Sequence, residues 1–140
     1  MGKFLREKKT TNKKKTSNKK KNVSVEELVE QAQEALSLVQ LETAVALYQQ
    51  ALQMEPQNTD LMDALADVCL QIGDTDRSLE LLTKSTTMAP DANGIKWMYL
   101  GQLLSSKEAV NAYQKGIAIF SSQIGNLNDN VSVFCSYDYL

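Results

Sequence analysis

Acidic side chains recur at helical spacing in two separate segments of the chain. Glu26 and Glu30 are four positions apart, and Asp60, Asp63 and Asp67 follow one another at intervals of three and four. On a helix each set would share one face, because residues three and four apart are neighbours. Carboxylates in such a stripe offer acceptors to the cationic side chains of lysine and arginine. We therefore predict that these residues form a partner-binding surface for a Lys/Arg-rich segment.

The sequence offers little to catalytic chemistry. It contains no histidine, which excludes imidazole base catalysis and histidine ligation of a metal. Cys69 and Cys135 form no C-x-x-C pair, and Cys69 falls in an apolar stripe, where a free cysteine acts as a small buried hydrophobe. There is no phosphate-cradling glycine loop, no metal cluster and no nucleophile–base pair. We predict a protein that is not an enzyme, with no catalytic residue, metal, cofactor or small-molecule substrate.

Charge is divided between a basic N-terminal segment and an acidic remainder. Residues 1–22 hold ten Lys/Arg and one Glu, a net charge of +9, whereas residues 23–140 hold five Lys/Arg and sixteen Asp/Glu, a net charge of −11. Phe4 and Leu5 are the only large apolar residues of the basic segment. Because so few apolar groups cannot offset the entropy cost of ordering, we predict that residues 1–22 are disordered.

Two lysine clusters in this tail resemble a nuclear localisation signal. The nuclear-targeting residues would be Lys13, Lys14, Lys15, Lys19, Lys20 and Lys21. This interpretation predicts a nuclear import receptor as a partner and a location in cytoplasm and nucleus. The alternatives are a solubilising tail or a non-specific contact with RNA. No apolar run approaches the length of a membrane span, so we predict no membrane partner.

The elements that must position the acidic residues repeat along the chain. The interval from Pro56 to Pro90 is 34 positions. At the same offset before each proline stand small residues, namely Ala44 and Ala51 in one segment and Ser78 and Ser85 in the next. A 34-residue period with small residues at fixed positions and a closing proline is typical of the tetratricopeptide repeat, a helix–turn–helix unit. We predict an all-α tetratricopeptide-repeat solenoid of about three helix pairs spanning residues 23–120.

The predicted repeats are 24–57, 58–91 and 93–120. Ser24 begins a capping box, Asn58 or Thr59 starts the second pair, Gly73 ends a helix in the left-handed conformation, and Asp74 caps the next. In the third repeat Gly101 and Ala109 are eight positions apart, whereas the equivalent Ala32 and Ala44 are twelve apart. The third repeat therefore lacks about one helical turn.

The repeat pattern ends after Phe120 in this interpretation. Residues 121–140 contain glycine, asparagine and aspartate residues, which favour turns, and a short β-prone stretch from Val131 to Phe134. We predict that they form an irregular or disordered C-terminal tail. The alternative is that they fold over the last helix as an irregular cap, since termini fray unless they are tied down.

In this type of repeat the first helix of each pair lines the concave face, at the positions that core packing leaves free. These positions are Glu26, Val29, Glu30, Gln33 and Ser37 in the first repeat and Asp60, Asp63, Ala64, Asp67 and Gln71 in the second. Half of them are acidic and none is basic, which favours a cationic ligand. An acidic peptide of the kind that heat-shock co-chaperones bind needs Lys, Asn and Arg at such positions and would be repelled.

A more specific resemblance lies in the segment Ile95–Phe120, IKWMYLGQLLSSKEAVNAYQKGIAIF. Its Tyr-Leu-Gly-Gln-Leu core, shortened turn and Tyr-Gln-Lys-Gly-Ile stretch resemble the tetratricopeptide-repeat assembly chaperones of large-subunit ribosomal protein four. The resemblance covers residues 24–120 and departs after Phe120, where that family would continue with further repeats. It implies a solenoid that holds a basic extension of the newly made ribosomal protein. The alternatives are a generic scaffold or adaptor in a multiprotein complex, and an RNA-associated factor that acts through the basic tail.

Overall fold

The computed structural model describes the backbone of residues 23–135 and the side chains of residues 23–126. Six helices follow one another: α1 Val25–Ser37, α2 Leu41–Met54, α3 Thr59–Ile72, α4 Thr75–Met88, α5 Gly94–Leu103 and α6 Ser106–Cys135. The predicted disorder of residues 1–22 and the six targeting lysines lie outside the described residues. In the described part of the chain, no helix combines the length and apolar character that crossing a membrane requires.

Local capping chemistry sets the helix boundaries, as the sequence predicts. The Ser24 hydroxyl accepts the Glu27 N–H at 3.2 Å, and the Asn58 side chain accepts the N–H groups of Asp60 and Leu61. Gly73 ends α3 at φ +84°, a conformation that costs glycine little, and Asp74 then caps α4. Since each cap satisfies backbone donors that the first helical turn leaves free, the helices start and stop at defined residues.

Small residues allow the helices of the first two pairs to pack closely. Ala44, Ala51, Ser78 and Ser85 are completely buried, as the repeat period predicts. The Ser78 hydroxyl donates to the carbonyl of Ala66 at 3.0 Å, so its polarity is satisfied inside the core. One apolar cluster joins α1, α2 and α3, and a second joins α3, α4 and α5. The core is therefore continuous from one pair to the next, as in a solenoid.

The third pair is shortened by about one turn, which confirms that prediction. The helices α2 and α4 each begin sixteen positions after the start of their partner, whereas α6 begins twelve positions after the start of α5. Glycine lets α5 and α6 approach: a Cβ at Gly101 would lie 2.7 Å from the ring of Tyr113, and one at Gly94 would lie 2.9 Å from the ring of Phe120. The α5–α6 pair is thus shorter than the first two pairs, but its helices lie in close contact.

Beyond Phe120 the structure differs from the prediction. Helix α6 runs on to Cys135, so the irregular segment predicted for residues 121–140 is wrong for 121–135, and residues 136–140 lie outside the described residues. The physical reason is the closing residue of the repeat. Pro56 and Pro90 each stand twelve positions after the small residue of their second helix, but Ser121 holds that position after Ala109. Serine keeps its backbone N–H and lets the helix continue, where proline would stop it.

Candidate functional site

The first helices of the pairs line two adjoining depressions, which we call the acidic groove. The first depression, of about 520 Å³, lies between α1 and α3, and the second, of about 300 Å³, lies between α3 and α5. Asp60 and Ala64 line both. Eight of the ten positions that the sequence assigns to the groove line one or both depressions, and the exceptions are Ser37 and Gln71. The structure therefore brings all five predicted partner-binding acids onto one surface.

The first depression has an apolar floor and an acidic rim. Val29, Leu61 and Ala64 lie among its lining residues, together with the carboxylates of Glu26 and Glu30. At the turn between α2 and α3, Glu55 also lines it and accepts a hydrogen bond from Asn58 at 2.7 Å. Such a lining suits the long aliphatic stem and charged tip of a lysine or arginine side chain.

Glu26 is tied to the start of its own helix. Its pKa is lowered first by a hydrogen bond from its own backbone N–H and second by the Ser24 hydroxyl. The carboxylate therefore stays charged at the N-terminus of α1, where the helix dipole also favours an anion. Glu26 is exposed, so this charge is presented to solvent at the edge of the groove.

In the second depression, the Asp63 carboxylate is less available to a ligand than its place on the helix suggests. Its carboxylate accepts a hydrogen bond from the Ser85 hydroxyl at 2.5 Å and another from Asn93 at 3.2 Å. The Lys96 ammonium, only 1% exposed, in turn donates to the hydroxyl and the carbonyl of Ser85, both at 3.3 Å. Asp63 is therefore a member of a network that joins α3, α4 and α5, and much of its hydrogen-bonding capacity is used within the protein.

Asp67 lies between two tyrosines. Burial raises the pKa of Tyr48, and the Asp67 charge raises it further. Burial likewise raises the pKa of Tyr99, followed by its hydrogen bond with Asp67 and the charge of that carboxylate. Asp67 also accepts a hydrogen bond from Gln71 at 3.2 Å. Both phenols therefore stay protonated around neutral pH and can donate hydrogen bonds in or beside the groove.

Sequence reasoning missed several residues that shape the groove. Tyr48 lies on the second helix of its pair, where the repeat pattern predicts core packing, and it also lines the first depression. Asn93, Lys96 and Tyr99 line the second depression, because α5 packs beside α3. Their only signal in the sequence is position: Asn93 immediately precedes the first helix of the third pair, and Lys96 and Tyr99 lie on that helix. The shortened third repeat obscures that place, and Lys96 reads as a solvent-exposed charge.

The arrangement defines the class of protein. Six helices form consecutive pairs with a continuous core, and a family profile described as "Tetratricopeptide repeat" matches residues 30–94. The described residues form an all-α solenoid with the architecture of tetratricopeptide repeats, which confirms the predicted fold class. This fold is typically a non-catalytic scaffold for protein–protein interaction.

Comparisons with solved structures agree with this class. The chain superposes on MamA with a TM-score of 0.65 at 18% identity, over 74% of this chain and 62% of that one. It superposes on the Sgt2 TPR domain from Aspergillus fumigatus with a TM-score of 0.63 at 25% identity, over 69% of this chain and 66% of that one. A third match is the structure described as "Assembly Chaperone of RpL4 (Acl4) (Residues 1-338)", with a TM-score of 0.72 at 19% identity, over 79% of this chain and 44% of that one.

These identities show a shared fold. The chain spans less than two thirds of the length of each of these three structures. A comparison with curated proteins finds no match.

Proposed function

We propose that this protein is a dedicated chaperone that holds a basic ribosomal protein of the large subunit during ribosome assembly, with large-subunit ribosomal protein four as its client. The observation that carries the proposal is the gathering of Glu26, Glu30, Asp60, Asp63 and Asp67 along one groove. A groove with one sign of charge raises the local concentration of the opposite charge and speeds association. Ribosomal proteins supply such Lys/Arg-rich segments.

Two further observations support the client's identity. The stretch Ile95–Phe120 resembles the assembly chaperones of ribosomal protein four, and one structural neighbour is itself described as an assembly chaperone of RpL4. The positions that an acidic peptide would need are unsuitable, since Val29, Gln33, Ala64 and Asp67 supply no cation. The groove therefore favours a basic client over the acidic tail of a heat-shock chaperone.

In this proposal the Lys-rich tail brings the protein into the nucleus, where the large subunit is assembled. The tail's lysine clusters would engage an import receptor, and the protein would occupy both cytoplasm and nucleus. The tail would deliver the complex, and the groove would hold the client.

The test removes charge from the groove without disturbing the Asp63 network. We expect Glu30→Gln combined with Asp60→Asn to weaken binding of a Lys/Arg-rich ribosomal-protein peptide several-fold at low salt, as measured by titration calorimetry. The difference should shrink at roughly 0.5 M NaCl, because salt screens exposed charges. The matched control is Glu42→Gln with Glu80→Gln, which removes two exposed charges from α2 and α4, outside both depressions.

The control should bind the peptide nearly as well as the unmodified chain. Equal weakening by both pairs would mean that only net charge matters and would contradict a groove-specific site. Absence of any binding by the unmodified chain would contradict the proposed client class.

A further inference from the structure

The hydroxyl of Tyr48 is a polar group without a partner at the edge of a packed core. Tyr48 is 4% exposed, and its ring packs in the first apolar cluster, yet the residue lines the first depression. Among the hydrogen bonds that residues 23–126 make, none involves this hydroxyl, and no fully buried side-chain oxygen or nitrogen among them lacks a partner. The hydroxyl oxygen is therefore accessible to solvent, and Tyr48 is one of the residues that line the first depression.

The charged residues that line the first depression favour a cation. Glu26, Glu30 and Asp60 present exposed carboxylates, and no lysine or arginine of the described residues lines the first depression. An ammonium or guanidinium can donate to the Tyr48 oxygen and to a carboxylate at once, while its aliphatic stem lies against Val29. The depression thus combines a buried hydrogen-bonding group with an acidic rim, which together point to a basic side chain as ligand.

A basic segment is attached at the entrance to this depression. Residues 1–22 carry ten Lys/Arg and a net charge of +9, and they join the described chain at Val23. Val25 and Glu26, the first residues of α1, already line the depression. We propose that, in the absence of a client, lysines of residues 1–22 occupy the first depression, so that a basic client must displace the chain's own tail.

Because residues 1–22 are covalently attached beside the first depression, even weak contacts are sufficient for them to occupy it. Fully extended, the tail of residues 1–22 spans roughly 70 Å, whereas α1, with its 13 residues, is about 20 Å long, so every part of the groove is within reach. Covalent attachment through a tether of this length gives an effective concentration of the order of millimolar. A lysine segment with an intrinsic Kd in that range would therefore occupy the groove much of the time and still yield to a longer, tighter client.

The experiment places a spin label on the tail of the full chain. The labelled protein carries Asn12→Cys and Cys135→Ser, and Cys69 is buried and so is protected from the label. We expect paramagnetic broadening of amide signals on the groove face, around Glu30 and Ala64, and little around Glu42 and Glu80. Broadening should fall at roughly 0.5 M NaCl and in Tyr48→Phe combined with Glu30→Gln, which leaves the core ring in place.

Broadening that is absent, or that is equal on the two faces, would overturn tail docking. The competition with a client rests on the proposed function and has its own test. Changing the six clustered lysines to Gln should raise the affinity for a basic ribosomal-protein peptide several-fold at low salt. If this variant binds the peptide no more tightly than the unmodified chain, the tail does not compete. If neither binds it, the proposed function fails, while the label result for the tail still stands.

Discussion

At the level of single residues, two carboxylates on the same helix have different roles. Asp60 is exposed and free to meet a ligand, whereas Asp63 accepts hydrogen bonds from Ser85 and Asn93. The Ser85 hydroxyl that donates to Asp63 also accepts a hydrogen bond from the buried Lys96 ammonium, so Ser85 connects the two charged groups. The groove therefore presents an exposed carboxylate at Asp60, whereas Asp63 links neighbouring helix pairs.

We expect Asp63→Asn to lower the free energy of unfolding by about 1–3 kcal/mol, because it removes the anion of a buried hydrogen-bonded network. Asp60→Asn is the matched control on the same helix. It should cost less than about 1 kcal/mol, mainly through a weaker interaction with the α3 dipole. Urea unfolding measures both, and equal losses would contradict a structural role for Asp63.

At the level of elements, the α5–α6 pair depends on glycine contacts that the first two pairs do not use. A Cβ at Gly116 would lie 2.8 Å from the Met98 sulfur and 3.1 Å from the carbonyl oxygen of Gly94. A backbone carbonyl in a helix cannot move aside as a side-chain tip can. This contact therefore fixes the distance between the two helices.

We expect Gly116→Ala to destabilise the protein by about 1–3 kcal/mol, since overpacking exceeds the gain in helix propensity. Gly125→Ala lies in the same helix and meets no atom within 4 Å. It should stabilise the protein by up to about 1 kcal/mol, through helix propensity alone. Thermal unfolding followed by circular dichroism compares the two, and a loss of similar size at both positions would show that close packing at Gly116 is not the cause.

The outer face of α6 is also an element-level feature. Val110 and Ile117 are 53% and 54% exposed. Their equivalents in α2, Val45 and Leu52, belong to the core cluster that α3 completes. Both positions are thus apolar in α2 and in α6. The following helix pair covers them in α2, whereas no helix pair follows α6 among residues 23–135.

At the level of the whole molecule, a tail of charge +9 is joined to a remainder of charge −11. An acidic region and a basic region on one chain can bind a client and a transport factor separately, because the two charges lie in different parts of the sequence. In the proposal the groove holds the client and the tail carries the targeting signal.

We expect that changing Lys13, Lys14, Lys15, Lys19, Lys20 and Lys21 to Ala leaves the protein in the cytoplasm, because the import receptor loses its cationic ligand. Capture of the client from lysate should persist or increase, since the groove is unchanged and the tail competes for it less. Fluorescence microscopy and a pulldown measure the two results in the same cells. Continued nuclear accumulation of the altered protein would show that the tail is only a solvated basic run.

The sequence by itself determined the helical repeat, the caps and the shortened third pair. These features depend on local chemistry: side-chain oxygens at helix starts, glycine or proline at helix ends, and small residues every 34 positions. It also placed the five acids on the groove, because groove and core positions alternate in a fixed pattern along the first helix of each pair. The sequence also has Ser121 where the first two repeats have proline, which favours a continuing helix, whereas the Gly and Asn residues that follow favour a break. Ile117, Phe120, Ile124 and Leu127 follow at spacings of three and four, which is also a helical signal.

Only the tertiary structure decided which of the groove residues are available to a partner. Asp63 is engaged because α4 brings Ser85 to it and the turn before α5 brings Asn93, residues 22 and 30 positions away in sequence. Lys96 is buried for the same reason, and Tyr48 reaches the groove from the second helix of its pair. Helical spacing assigns a residue to a face of its own helix, but whether its polar atoms find partners depends on the neighbouring helices that pack against that face.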